Sequence, residues 1–274
     1  MASTTSTLDS GAVLHTWEVE NPRAVVVLQH GFGEYAERFV HQHNKLITRL
    51  NQRRIQVLGM DMLGHGQSPN SRGVVNLDTA IQDHAKVRSI AEESNVPVFL
   101  FGHSLGGLLT IGSAIHRPEE VCGVIVTGPA LPLPTSGVFE RMLGIAAKVI
   151  PETSIPIPAS PLQGLSRCPE VAQSFQDDPL TSKRQIPFLV ASTATVVANN
   201  VWKTASQWKC PTLILHGTAD KYCKIAGSRR FINMIESSDK RMSEYEGGQH
   251  ELLNDLEKDK ALAEVLEWIS ARIK

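Results

Sequence analysis

The sequence predicts an α/β fold: a mostly parallel sheet flanked by helices, with one inserted helical cap. Three observations carry this reading. Short apolar, β-branched runs alternate with amphipathic stretches, as expected of strands covered on both faces. The alternation stops between Gly128 and about Gln207, in a proline-rich segment, and resumes at Pro211. With 274 residues and 42% hydrophobic side chains, the chain can bury one large α/β core or two small ones.

The elements follow in order. Residues 12–19 alternate polar and apolar side chains and fit an antiparallel edge strand. Residues 24–29, 55–60, 98–101, 121–127 and 211–216 are buried strands, and 241–246 is a short strand-like run. Residues 35–50 space Phe39, Val40, His43, Ile47 and Leu50 for a helix, and 105–116 and 255–272 are helices as well. The interrupting segment carries Pro129, Pro132, Pro134, Pro151, Pro156, Pro158 and Pro161, with an amphipathic piece at 138–150. The organisation expected is therefore core at 1–128, cap or lid insertion at 129–207, and core again at 208–274. An insertion after a strand end is where a substrate-covering cap belongs.

A formal charge of −1, with only short basic pairs at Arg53-Arg54 and Arg229-Arg230, gives no reason to expect nucleic acid. The N-terminus MASTTSTLDSG lacks the apolar core of a secretory signal, and no run approaches the ~18 apolar residues of a membrane span. Cys122, Cys168, Cys210 and Cys223 are scattered without metal-ligand spacing and read as free thiols. A cytoplasmic protein without metal or organic cofactor is expected.

The chemistry lies in Gly102-His103-Ser104-Leu105-Gly106, which joins a predicted strand to a predicted helix. A serine hydroxyl becomes a useful nucleophile when a sharp strand-turn-helix projects it beside a base and beside donors for an oxyanion. Glycines two residues away on each side avoid collisions with neighbouring backbone. His30-Gly31-Phe32-Gly33-Glu34 follows the strand at 24–29, where this architecture supplies a second oxyanion donor. The predicted hole is the backbone N–H of Phe32 with that of Leu105. Downstream, His216-Gly217-Thr218-Ala219-Asp220 closes one strand and Gly247-Gly248-Gln249-His250 follows another. Ser104, Asp220 and His250 thus occur in the order nucleophile, acid, base. His250 takes the serine proton in this reading, and Asp220 orients the imidazole.

Rivals exist among ten histidines. His30 and His216 precede glycine at strand ends and read as turn-stabilising; His65 ends another strand and is a minor alternative base. His103 should point away from the serine hydroxyl. His15, His41, His43, His84 and His116 have no motif context. Asp61 is the serious rival to Asp220, but it precedes the serine; Asp177-Asp178 reads as a solvated turn.

With these segments the chain resembles the monoacylglycerol lipases of the α/β-hydrolase superfamily, especially the short bacterial type. The matching pieces are HGFGEYAERF (30–39), DMLGHGQS (61–68), GHSLGG (102–107), LSRCPEVAQSFQDDPL (165–180), HGTADKYC (216–223) and YEGGQHELLND (245–255). The resemblance implies Ser104, Asp220 and His250 as triad and Phe32 and Leu105 as oxyanion donors. It also implies Glu34, Arg38 and His103 at the alcohol end of the pocket, binding a glycerol moiety. Phe32 is bulkier than the residue in some relatives, which bears on pocket width. Cys223 matches a cysteine of mammalian members; the expectation is that bulky thiol reagents slow the enzyme through it, with a plain buried thiol as the other reading.

A monoacylglycerol needs a long apolar tunnel with few polar groups at the reacting end. Residues 138–150 either line that tunnel, touch a lipid surface or pack on the core. The function expected is hydrolysis of monoacylglycerol to fatty acid and glycerol through an acyl-enzyme. A lysophospholipase or short-chain carboxylesterase shares the triad, and a non-catalytic relative binding a hydrophobic ligand is the reading of another class. Partners expected are the long-chain ester and, through the cap, a membrane or lipid surface.

Overall fold

The computed structural model describes residues 3–115, 117, 121–157 and 161–273. His116 and Pro158 lie outside these. Eight strands form one sheet: β1 (Thr4–Thr7), β2 (Val13–Trp17), β3 (Ala24–Gln29), β4 (Ile55–Asp61), β5 (Val98–His103), β6 (Gly123–Thr127), β7 (Thr212–Gly217) and β8 (Lys240–Tyr245). Their spatial order is β1-β2-β4-β3-β5-β6-β7-β8. β2 pairs antiparallel with β1 and β4, and every other pairing is parallel. All residues of β3, β5, β6 and β7 are buried, so both sheet faces must be covered.

Helices α1 (Arg38–His41), α2 (Leu46–Asn51), α3 (Leu77–Glu92) and α4 (Leu105–Ala114) alternate with these strands. Between β6 and β7 the chain forms α5 (Gly137–Val149), α6 (Pro169–Asp177) and α7 (Phe188–Thr204); α8 (Ile225–Met234) and α9 (Lys258–Ser270) follow. Side chains alternate across the sheet. Val25, Val27, Leu100 and Val126 pack with Val87, Leu108, Val201 and Phe231 on one face. Val26, Leu28, Phe99 and Ile125 pack with Phe39, Leu50, Val265 and Trp268 on the other.

Two expectations need correction. The strand at 12–19 is antiparallel but is not the edge, because the polar, fully exposed Thr4–Thr7 pairs outside it. The helix expected over 35–50 is broken into α1, a 3-10 turn at His43–Lys45 and α2. His43, Asn44 and Lys45 have φ of 49, 52 and 57°, a left-handed turn that no continuous helix accommodates. The His43 amide at this turn donates to Asn254 Oδ1 at 2.5 Å, tying it to the chain after His250.

Asp61, the rival acid, ends β4 and belongs to the scaffold. Its Oδ1 accepts the Ala36 amide at 2.8 Å, and its Oδ2 accepts the Gln67 amide at 2.8 Å and faces His15 Nε2 at 3.1 Å. Burial raises its pKa, but the hydrogen bond and charges of His15 and His30 outweigh that and leave it lowered. Asp61→Ala leaves buried donors unpaired and costs about 3 kcal/mol. The expected fall in Tm, measured by calorimetry, is roughly 6–12 °C.

Candidate active site

The parallel strands deliver their C-terminal ends to one rim of the sheet. Ser104 follows β5 at the N-terminus of α4, with φ 54° and ψ −121°, a conformation that non-glycine residues rarely adopt. Its amide donates to the Thr127 carbonyl at 3.0 Å, which pins the turn to β6. Close approach explains the flanking glycines. A Cβ on Gly102 would lie 2.5 Å from Thr110 Oγ1, and one on Gly106 would strike the His30 carbonyl oxygen.

Asp220 follows β7 and His250 follows β8, and the three side chains meet. His250 Nε2 is 2.9 Å from Ser104 Oγ, and His250 Nδ1 is 2.7 Å from Asp220 Oδ2. A carboxylate only accepts, so Nδ1–H donates to Asp220 and Nε2 is left to accept the serine proton. Asp220 Oδ1 is held by the Tyr222 amide at 2.8 Å and the Cys223 amide at 2.9 Å. Burial works to raise the Asp220 carboxyl, yet His250, His216 and the Cys223 amide hold it far below the usual range. Burial works to lower His250, and the Asp220 carboxylate outweighs it, so the imidazole lies above its ordinary value. The arrangement can deprotonate a hydroxyl and stabilise the imidazolium that results.

Leu105 opens α4, so its N–H is among the helix donors without an intrahelical partner, pointing out of the N-terminus. The loop bearing Phe32 lies against the serine: a Cβ on Gly31 would be 3.0 Å from Ser104 Cβ. The Phe32 ring packs edge-on to His65 at 5.6 Å between centroids.

The three side chains expected at the alcohol end turn inward. Glu34 Oε1 accepts the Gly31 amide at 2.8 Å, and its Oε2 faces Arg38 Nη1 and His43 Nε2, both at 2.9 Å. Arg38 also donates to both carboxylate oxygens of Glu251. His103 Nδ1 lies 3.1 Å from the Thr127 carbonyl oxygen and 2.9 Å from Thr127 Oγ1. Burial lowers its pKa to about 3. Buried partners thus engage the Glu34 carboxylate, the Arg38 guanidinium and His103 Nδ1. Glu34, His43 and Glu251 bring potential ligand atoms within 4.8 Å of one another, but the Arg38 guanidinium already supplies the cation.

His30 and His216 hold turns as expected: His30 Nε2 accepts the Met62 amide at 3.0 Å, and His216 Nε2 lies 2.8 Å from the Cys223 carbonyl. Asp178 departs from its reading as a solvated turn, since it accepts the Tyr35 hydroxyl at 2.7 Å and fastens the inserted segment to the chain after β3. Sequence reasoning passed over Tyr222, His43 and Glu251. The Tyr222 ring stacks on His250 at 4.9 Å and 25°, and its hydroxyl donates to the Pro161 carbonyl at 2.9 Å. Tyr222 and Glu251 were close in sequence to Asp220 and His250; His43 carried no such signal.

The fold is that of the α/β-hydrolases, and a Ser–His–Asp relay at the strand ends marks the serine hydrolases among them. A family model described as serine aminopeptidase, S33 (Hydrolase_4), matches residues 20–257, and the chain belongs to that family. It is 29% identical over 258 residues to the monoacylglycerol lipase of Mycolicibacterium smegmatis, covering 92% of this chain and 90% of that one. It is 30% identical over 262 residues to the monoglyceride lipase of Rattus norvegicus, covering 92% of this chain and 84% of that one. The crystal structure of Paleococcus ferrophilus monoacylglycerol lipase superposes with a TM-score of 0.83 at 32% identity, covering 95% of this chain and 99% of that one.

Cys223 Sγ lies 3.9 Å from Ser104 Oγ, and burial together with the Asp220 charge pushes its thiol well up. A protonated thiol is a poor nucleophile. Brief iodoacetamide treatment at pH 8 should therefore modify the less buried Cys122 and Cys168 first, with Cys223 and Cys210 unmodified in the folded protein by peptide mass spectrometry.

Proposed function

We propose that the protein hydrolyses monoacylglycerols to a free fatty acid and glycerol through an acyl-enzyme on Ser104. The observation that carries this reading is the unbroken hydrogen-bonded relay from Ser104 through His250 to Asp220 on a strained elbow. The names of relatives that align along most of this chain supply the substrate class.

Ser104 Oγ attacks the ester carbonyl as its proton passes to His250 Nε2. The oxyanion is met by the N–H groups of Phe32 and Leu105. The imidazolium, stabilised by Asp220, returns the proton to the departing glycerol oxygen. Water then repeats the sequence on the acyl-enzyme and frees the fatty acid. Residues 129–207 form the cap over this site in our reading. Its α6 half is fastened to the core, through Asp178 to Tyr35 and through Ser182, whose amide donates to the Gly33 carbonyl at 2.7 Å.

The α5 half turns apolar side chains outward: Val138 is 72%, Met142 64% and Val149 74% exposed, whereas Leu143 is buried. Exposed Arg141 and Lys148 lie beside them. An apolar helix face flanked by cations suits insertion into a lipid surface, where a monoacylglycerol resides. No helix among the described residues is long and apolar enough to cross a membrane.

Two tests follow. Ser104→Ala should lower kcat by at least about a thousandfold on every ester. The wild-type enzyme should hydrolyse mono- in preference to di- and triacylglycerols; preference for a lysophospholipid assigns the rival substrate. Because the base must be neutral, kcat/KM should fall as pH drops below the raised His250 value, above the ~6.5 of an ordinary histidine. Asp220→Asn should move that acid limb downward. Separately, Met142→Asp with Val149→Asp should reduce sedimentation with phosphatidylcholine vesicles while leaving p-nitrophenyl butyrate hydrolysis unchanged.

A further inference from the structure

Behind the triad lies a buried cluster that the reaction sequence does not use. Arg38, 3% exposed, donates through Nη1 to Glu34 Oε2 at 2.9 Å and to Glu251 Oε1 at 3.0 Å, and through Nη2 to Glu251 Oε2 at 3.3 Å. The two carboxylates belong to different working parts. Glu34 Oε1 holds the amide of Gly31, whose neighbour Phe32 bears the oxyanion N–H. Glu251 directly follows His250, its amide donates to the Leu165 carbonyl at 2.7 Å, and its Oε2 accepts from Asn254 Nδ2 at 2.5 Å. His43 packs into the same cluster, 3.1 Å from Arg38 Nη1 and stacked on Phe39 at 3.9 Å. The Phe175 ring of α6 lies over the guanidinium at 5.1 Å, so the cap closes the cluster from outside.

The geometry points to Arg38 as a positioning residue that clamps the oxyanion loop to the segment carrying the base, through Glu34 on one side and Glu251 on the other. The inference rests on the proposed roles of Ser104, His250 and Phe32 and departs from the expectation that Arg38 binds the alcohol. Burial makes the clamp stiff. Separating a buried guanidinium from its buried carboxylates leaves an uncompensated charge, so the loops hold one relative position. Both carboxylates also face the imidazole as fixed negative charges and work to raise its pKa. A clamp acts on acylation of any ester, whatever its alcohol. An alcohol ligand acts only on substrates that carry the glycerol hydroxyls.

This difference sets the experiment. Arg38→Gln, Arg38→Lys and Glu251→Gln are assayed on p-nitrophenyl butyrate, which has no glycerol, and on a short monoacylglycerol. The second-order rate of fluorophosphonate labelling of Ser104 is measured in parallel, with thermal unfolding as the check on folding. Arg38→Gln and Glu251→Gln should lower kcat about 10- to 100-fold on both esters alike, as expected for sub-ångström misplacement of catalytic groups, with little change in KM. Labelling should slow by a similar factor, and Arg38→Lys, which keeps the charge but not the fork, should recover part of the loss. A rise in KM confined to the monoacylglycerol overturns the proposal in favour of alcohol binding. Wild-type rates in both glutamine variants overturn it as well. If Arg38→Gln does not fold, the near-isosteric Glu251→Gln carries the same comparison. Absence of fluorophosphonate labelling in the wild-type enzyme defeats the catalytic reading itself, a result distinct from any failure of the clamp.

Discussion

A serine held at φ 54° and ψ −121° is costly, on the order of 1–3 kcal/mol, and much of the surrounding structure constrains it there. Strand β5 is buried on both faces between β3 and β6, so its end has no freedom to relax. Helix α4 begins at the next residue, and every residue in it is buried. The serine amide is hydrogen-bonded to β6, and Gly102 and Gly106 let neighbouring backbone approach from two sides. The strain is a property of the packed sheet as much as of the pentapeptide. It aims the hydroxyl out of the core and leaves the N-terminus of α4 directly beside it.

The electrostatics around His250 follow from the same rim. The imidazole is flanked by Tyr222 at 4.9 Å and by His103 at 4.8 Å. A second imidazolium at His103 would repel the one formed during turnover. Burial keeps His103 neutral, with its Nδ1–H directed to the Thr127 carbonyl. On the other side the Asp220 carboxylate is fixed by two backbone amides and does not need to reorganise as charge develops. The carboxylates of Asp220, Glu34 and Glu251 are thus buried near the base, and the Arg38 guanidinium beside them is paired with Glu34 and Glu251.

The inserted segment divides along chemical lines. Around α6 its contacts are polar and specific: Asp178 to Tyr35, Ser182 to Gly33, and Gln42 Nε2 to Ser174 Oγ at 3.1 Å. Around α5 the apolar face is outward, with Leu143 turned inward and Glu140 accepting from Asn199 on α7 at 2.8 Å. One half registers the insertion on the loop after β3, through Gly33 and Tyr35, and the other presents a surface to the surroundings.

Much of this was legible from the amino-acid order. The apolar runs at 24–29, 55–60, 98–101 and 211–216 become β3, β4, β5 and β7 because residues buried on both faces leave a continuous hydrophobic signal. The glycine-bracketed serine and the downstream Asp220 and His250 were recognisable because each sits at the end of such a strand. Residues without that signal were not. Strand β1 is all polar and joins the sheet through backbone pairing rather than apolar burial. The break at His43–Lys45 depends on a distant Asn254, and the inward turn of Glu34 and Arg38 depends on Glu251, more than two hundred positions away. Local order by itself determined the fold class and picked out the side chains that meet at the strand ends, since burial and turn chemistry are written in neighbouring residues. Only the tertiary structure decided which charges pair, because a buried ion takes whichever partner the packed chain brings within reach.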